Sequence, residues 1–119
     1  MANDETLALS RLADVFKALG HPTRLWIARR LEGGACCVGD LVDGTDEEFS
    51  TISQHLNVLK RAGVVEAEKH GKQVFYSLRY PCLPWLIRCM EARDGRLSDD
   101  PEQSKALLSE QLRHLLSLL

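Results

Sequence analysis

The chain is predicted to fold as a mainly α domain carrying one β-hairpin, and three observations predict it. Apolar residues recur at three- and four-residue spacing along most of the sequence. Gly20, Pro22, Gly33, Gly63 and Pro101 stand where these runs stop or start. Only around VFYSL, residues 74–78, does the spacing change to two, among β-branched and aromatic residues. At 119 residues the chain is expected to be a single domain, 1–119, with a core of modest size.

Taken in order, residues 6–19 place Leu9, Leu12, Ala13, Phe16 and Leu19 at helical spacing, and Gly20 ends the run. HPTRLWIARRLEGG follows. Pro22 suits a first helical turn, Leu25, Ala28 and Leu31 form a stripe, and Gly33 closes it. A short helix is expected from about Cys37 to Val42, then a turn or loop at DGTDEE. Residues 49–62 give a further helix with Ile52, Leu56 and Leu59 inward and Gly63 as its stop. The hairpin lies in VVEAEKHGKQVFYSLRY, with Lys69-His70-Gly71-Lys72 as its turn and Val74, Tyr76 and Leu78 on one face. Helical spacing returns over 82–93 at Cys82, Trp85, Leu86, Cys89 and Met90. Residues 94–101 read as a polar linker to a C-terminal helix, 102–119, with Leu108, Leu112, Leu115 and Leu119 on one stripe. No internal repeat or low-complexity tract is present.

Several function classes drop out early. No apolar run reaches bilayer length, so no membrane partner is expected, and MANDETLALS lacks the basic-then-apolar order of a secretory signal. Cytoplasmic residence is the expectation, and in that reducing compartment Cys36, Cys37, Cys82 and Cys89 are free thiols or ligands rather than a disulfide framework. There is no CxxC motif and no nucleophile elbow, so no enzyme is expected. The formal net charge of −2 speaks weakly against a nucleic-acid binder, but its distribution matters more. Asp43, Asp46, Glu47 and Glu48 cluster in one loop, and Asp94, Asp99, Asp100 and Glu102 in another. Between them Lys60, Arg61, Lys69, Lys72 and Arg79 face only Glu66 and Glu68, so the middle of the chain is locally basic.

A short helix, a turn and a second helix with an outward polar face make a helix-turn-helix, and the hairpin directly after it makes a wing. On the 49–62 helix Ser50, Thr51, Ser53, Gln54 and Asn57 lie off the apolar stripe. In a major groove, Gln or Asn can pair bidentately with adenine, and Ser or Thr with several bases. Lys60, Arg61, Lys69 and Lys72 are placed to contact phosphates, which fixes register without reading sequence. On the helix alone these residues read as a solvated face; helix and basic wing together read as a surface for double-stranded DNA.

ALGHPTRLWIARRL followed by STISQHLNVLKRAGVVEAEKHGKQVFYSL resembles the ArsR/SmtB family of winged-helix repressors, over roughly residues 9–92. The resemblance implies a dimeric winged helix-turn-helix: a homodimer joined by its first and post-wing helices, with two recognition helices entering successive major grooves of an operator. It implies release of that operator when an inducer binds. It places Ser50, Thr51, Ser53 and Gln54 at DNA-contacting positions and Lys72 at the wing tip. The chain departs from the pattern where the family often has Ser-Gln-Ser at the start of this helix. Here Glu48-Phe49-Ser50 stand, with acidic residues where phosphates approach.

The cysteines are the second motif. Arsenical sensors of the family commonly carry Cys-Val-Cys-Asp-Leu on the short helix, and the aligned residues here are Cys37-Val38-Gly39-Asp40-Leu41, with Cys36 added in front. The family's other common metal site uses Asp, His and Glu on the post-wing helix, and 82–93 has no histidine. Cys82 and Cys89 are seven residues apart, so about 10 Å along one helix, too far to share an ion or a disulfide. Cys36 and Cys37 can share an ion only if the backbone at Gly33-Gly34-Ala35 is irregular. A three-thiolate site would then join Cys37, Cys36 and one of Cys82 or Cys89, from the same or the partner subunit. Soft thiolates suit soft ions, and the resemblance points to As(III) or Sb(III) as inducer, with no cofactor required for folding.

Cys82 and Cys89 also read as small core residues on the stripe of Trp85 and Leu86. A redox or persulfide switch bridging Cys37 to one of them, another metal, and a winged-helix protein-interaction module with structural cysteines are the alternatives. His21 reads as serving a helix start and His55 as packing at the edge of the recognition helix. His70 sits at the wing tip and His114 on the polar side of the last helix.

Overall fold

His21 and Pro22 start a helix as their residue types lead one to expect. In the computed structural model, which describes residues 2–94 together with 113, 116 and 117, His21 has extended backbone angles and Pro22 takes the first helical position. The His21 Nδ1 accepts a hydrogen bond from the Thr23 amide at 3.1 Å, and Pro22 has no amide hydrogen to satisfy. This is α2 (Pro22–Arg30), preceded by α1 (Asn3–Leu19). A 3-10 turn (Leu31–Gly33), β1 (Cys36–Cys37), α3 (Val38–Val42) and α4 (Phe49–Arg61) follow. The chain continues through β2 (Val65–His70) and β3 (Gln73–Leu78) to α5 (Leu83–Arg93). The linker and the helix expected over 102–119 lie outside the described residues, except for Asp94 and for Arg113, Leu116 and Ser117, which are helical.

The described residues fall into two compact units that divide between Tyr80 and Pro81. In the first, α1, α2 and α4 pack pairwise, and α3 and β2 also pack on α4. Ile27, Leu41, Ile52, Leu56, Leu59 and Val64 are wholly buried. The inward stripe of α4 is thus the one its spacing predicts. Each such side chain contributes about 1.5–3 kcal/mol, which fixes the rotation of α4 and hence what it presents outward. α1 starts three residues earlier than its apolar pattern. Asp4 and Glu5 complement the positive helix end, and the Thr6 hydroxyl bonds the Ala2 carbonyl at 3.0 Å.

The apolar face of α1 is only partly covered within the single chain. Val15, Ala18 and Leu19 are buried, whereas Leu9, Leu12 and Phe16 keep 46%, 46% and 61% of their surface exposed. In the second unit Leu83, Pro84 and Ala92 are buried, Trp85 and Leu86 are half-buried, and Met90 is exposed. A period identifies an amphipathic helix but does not say which neighbour covers it. No described helix is long and apolar enough to cross a membrane.

The expected hairpin is part of a three-stranded antiparallel sheet of order β1-β3-β2. β2 and β3 pair from Val65↔Leu78 to His70↔Gln73. The turn is therefore only Gly71-Lys72, shorter than the four residues expected. Gly71 has φ +64°, the sign that a two-residue loop with glycine first requires, so the strands pair up to the tip. β1 was not anticipated: Cys36↔Tyr76 and Cys37↔Phe75 pair along the free edge of β3. Two residues are too few to show a period.

Candidate nucleic-acid interface

With Ile52, Leu56 and Leu59 turned inward, the opposite face of α4 is set. Ser50, Gln54, Asn57 and Arg61, spaced by four, three and four, are all exposed and form one ridge. Thr51 and Ser53 flank it, half-buried, and Lys60 is exposed beside it. Arg61 Nε donates to the Asn57 carbonyl at 3.4 Å, which turns this guanidinium back along its own helix. No side chain caps the start of α4 among the described residues. Its first amides are open to an acceptor such as a phosphate, with the Glu48 carboxylate as the nearby opposing charge.

α4 is also held from behind by polar contacts. Arg24 of α2 donates through Nη1 to the Ala18 carbonyl at 3.1 Å and through Nε to His55 Nδ1 at 3.2 Å. The His21 and His55 rings lie 4.5 Å apart. Burial lowers the His55 pKa, with further lowering by His21 and Arg24 and an opposing pull from Glu47. His55 is therefore a neutral acceptor beside Gln54, joining the recognition helix to α2. Arg24 was not singled out in the sequence. It stands 31 residues before His55, and no local pattern links them.

On the wing, Lys69 and Lys72 are exposed and have no carboxylate partner among the described residues. His70 is turned sideways, with Nε2 3.5 Å from Glu68 Oε1 and its ring edge-on to Phe75 at 5.6 Å.

The thiols divide. β1 sends Cys36 and Cys37 to opposite faces, since successive strand residues alternate. The irregular backbone lies ahead of the pair, at Gly34 with φ 127°, not within it. Cys36 Sγ approaches the Gly34 carbonyl at 3.6 Å. Its pKa is raised by burial first, then by Asp40 and, least, by the neighbouring Cys37, with Arg30 opposing. Cys37 caps α3: its amide donates to Asp40 Oδ2 at 3.2 Å and its sulfur faces the Asp40 amide. A Cβ added at Gly39 would lie 3.9 Å from Cys37 Sγ. The position where the resembling arsenical sensors hold their second thiol is thus next to Cys37, and carries no side chain. Cys82 is exposed at the N-cap of α5 and Cys89 is half-buried, so neither is a fully buried packing residue. Among the described residues of one chain, no three His, Cys, Asp or Glu side chains group as metal ligands.

This arrangement of helices and wing is shared with known regulators. The profile of the bacterial regulatory proteins of the ArsR family matches residues 21–67. An uncharacterized HTH-type transcriptional regulator of Methanocaldococcus jannaschii is 48% identical over 67 residues, 56% of this chain and 75% of that one. The transcriptional repressor SdpR of Bacillus subtilis is 34% identical over 88 residues, 71% of this chain and 98% of that one. A homodimeric winged helix-turn-helix DNA-binding domain from Mycobacterium bovis superposes with a TM-score of 0.69 at 28% identity, covering 82% of this chain and 91% of that one. The chain belongs to the ArsR/SmtB family of winged helix-turn-helix transcription regulators.

Proposed function

We propose that the chain is a homodimeric repressor that grips operator DNA with α4 and the β2–β3 wing and releases it when a thiophilic inducer, As(III) or Sb(III), binds Cys37. The observation that carries the DNA half is the Ser50–Gln54–Asn57–Arg61 ridge, exposed while the helix behind it is locked by buried Ile52, Leu56 and Leu59. Such a helix presents short hydrogen-bonding groups to base edges in a fixed orientation, and Lys69 and Lys72 are free to neutralise phosphates alongside. Dimerisation is supported by the exposed Leu9, Leu12 and Phe16 of α1 and by the homodimeric relative from Mycobacterium bovis.

The inducer half rests on the place of Cys37. It caps α3, and α3 packs on α4. A ligand that takes the Cys37 sulfur removes it from the start of α3 and so acts one element away from the DNA-reading helix. The co-ligand we assign is Cys82, at the N-cap of α5, or Cys89 within it, from the same or the partner subunit, since the Cys36 sulfur is drawn to the Gly34 carbonyl. Each thiol that binds displaces one hydroxyl of As(OH)3 as water, so no oxidant is needed. Binding shifts the dimer away from DNA only if the ligated form suits the free state better than the bound one.

The test is fluorescence anisotropy of the reduced protein on labelled DNA from its own promoter region, titrated with arsenite. Wild type and Cys36→Ser are expected to bind and to release; Cys37→Ser is expected to bind and not release. Binding that arsenite leaves untouched refutes the inducer and keeps the repressor. Absence of binding at low salt refutes the repressor and favours an interaction module.

A further inference from the structure

We propose that the cleft between Arg11, Arg61, Arg79 and Tyr80 is a binding site for a small polyanion, a molecule carrying two or more phosphate or carboxylate groups. The cleft has a volume of about 280 Å³ and lies within the first unit, where α1, the last turn of α4 and the end of β3 meet. Three arginines, from α1, the last turn of α4 and the segment after β3, line it against one carboxylate, Asp14. An adjoining cleft of about 460 Å³ shares Asp14 and Arg61 and adds Lys17 and Arg24, so the positive charge continues along the groove.

Two of the three arginines, Arg11 and Arg79, are uncommitted. Among the described residues the Arg11 and Arg79 side chains have no hydrogen-bond or ion-pair partner, and Asp14 pairs with neither. The carbonyls ending α4 do not claim Arg11 or Arg79. Asn57 O takes Arg61 Nε, Val58 O the Ala62 amide, Leu59 O the Val64 amide and Lys60 O the Gly63 amide. The last carbonyls of that helix are thus already satisfied, by three backbone amides and by Arg61 itself.

Arg79 is the best placed of the three. Its amide donates to Val64 O at 3.0 Å, and its guanidinium carbon lies 5.8 Å from the Tyr80 ring centroid. A Cβ at Gly63 would come within 3.2 Å of its Nη1, so glycine, at φ +81°, lets this guanidinium lie over the turn. Planar guanidinium forks recognise phosphate and carboxylate bidentately, which favours an oxyanion over a halide. Arg61 is eleven residues beyond Ser50, about 16 Å along α4. The site therefore sits at the far end of the recognition helix from the residues that open the ridge.

Inorganic pyrophosphate is titrated into the full chain by isothermal calorimetry, with sodium chloride adjusted to hold ionic strength constant. Saturable binding at one site per chain is expected. Arg11→Gln and Arg79→Gln should each weaken it by about tenfold or more, while Lys72→Gln at the wing tip leaves it unchanged. Circular dichroism and melting curves check that the variants stay folded. Absence of saturable heat, or equal weakening by all three variants, overturns the proposal. So does an outcome in which the two arginine variants keep pyrophosphate binding and instead weaken DNA, because the patch would then be a phosphate contact of the duplex.

Discussion

Replacing Arg24 with methionine keeps the apolar stem and removes the guanidinium that ties three helices together. The loss is two hydrogen bonds, to the Ala18 carbonyl at 3.1 Å and to His55 Nδ1 at 3.2 Å, both in partly buried surroundings. Bonds from a charged donor stabilise by up to about 1.5–3 kcal/mol each, and partial exposure returns much of this to solvent, leaving about 1–2 kcal/mol for the pair. With a urea slope of about 1–3 kcal/mol/M for a domain of this size, the unfolding midpoint should fall by roughly 0.5–1 M.

A second readout separates this from a general loss of packing. His55 holds a lowered pKa, by burial first, then His21 and Arg24, and it must be neutral to accept from Arg24. The unfolded chain therefore takes up a proton at His55 more readily than the folded one. Stability from this group is complete above the ordinary histidine value of about 6.5 and is lost as pH falls from there through the lower folded value. Arg24→Met removes one cause of the lowering, so its stability should fall less steeply over that acid range. Urea midpoints followed by circular dichroism at several pH values between 5 and 8 measure both effects. A wild-type midpoint at pH 8, or an acid limb as steep as that of wild type, would refute the reasoning.

The other predictions follow from the same placements. Gln54→Ala should cost about 1–3 kcal/mol on the operator and little on unrelated DNA, and Lys72→Gln should lower the salt slope by about one without altering preference, both read by anisotropy. Gly39→Cys adds a thiol beside Cys37 Sγ and should tighten arsenite binding by about tenfold or more; unchanged affinity would detach the inducer from this corner of the fold. Phe16→Asp places a charge in the exposed stripe of α1, and sedimentation should show a shift to monomer, whereas an unaltered dimer would move the interface elsewhere.

What could be read in advance depended on how local its cause is. The inner face of α4 was legible because Ile52, Leu56 and Leu59 repeat at helical spacing, and burial of that stripe leaves only one orientation for Ser50, Gln54 and Asn57. The wing was legible because alternation and a glycine turn are encoded within a few residues. β1 was not, since Cys36 and Cys37 become a strand only through pairing with Tyr76 and Phe75, some forty residues on. The directions of the two thiols depend on that pairing. The apolar stripe of α1 could be seen in the sequence, but its exposure on the single chain could not, because spacing carries no information about what covers a face. Arg24 and His55 are joined only by the packing of α2 on α4.

Whether this chain reads duplex DNA through α4 and the wing is decided by the affinity of the reduced protein for its own promoter DNA across roughly 50–200 mM salt, compared with a scrambled duplex. Saturable binding is expected, tighter on the promoter, with log affinity falling steeply and linearly with log salt. Binding that is absent at low salt, or equal on both duplexes and unaltered by Gln54→Ala, would contradict it.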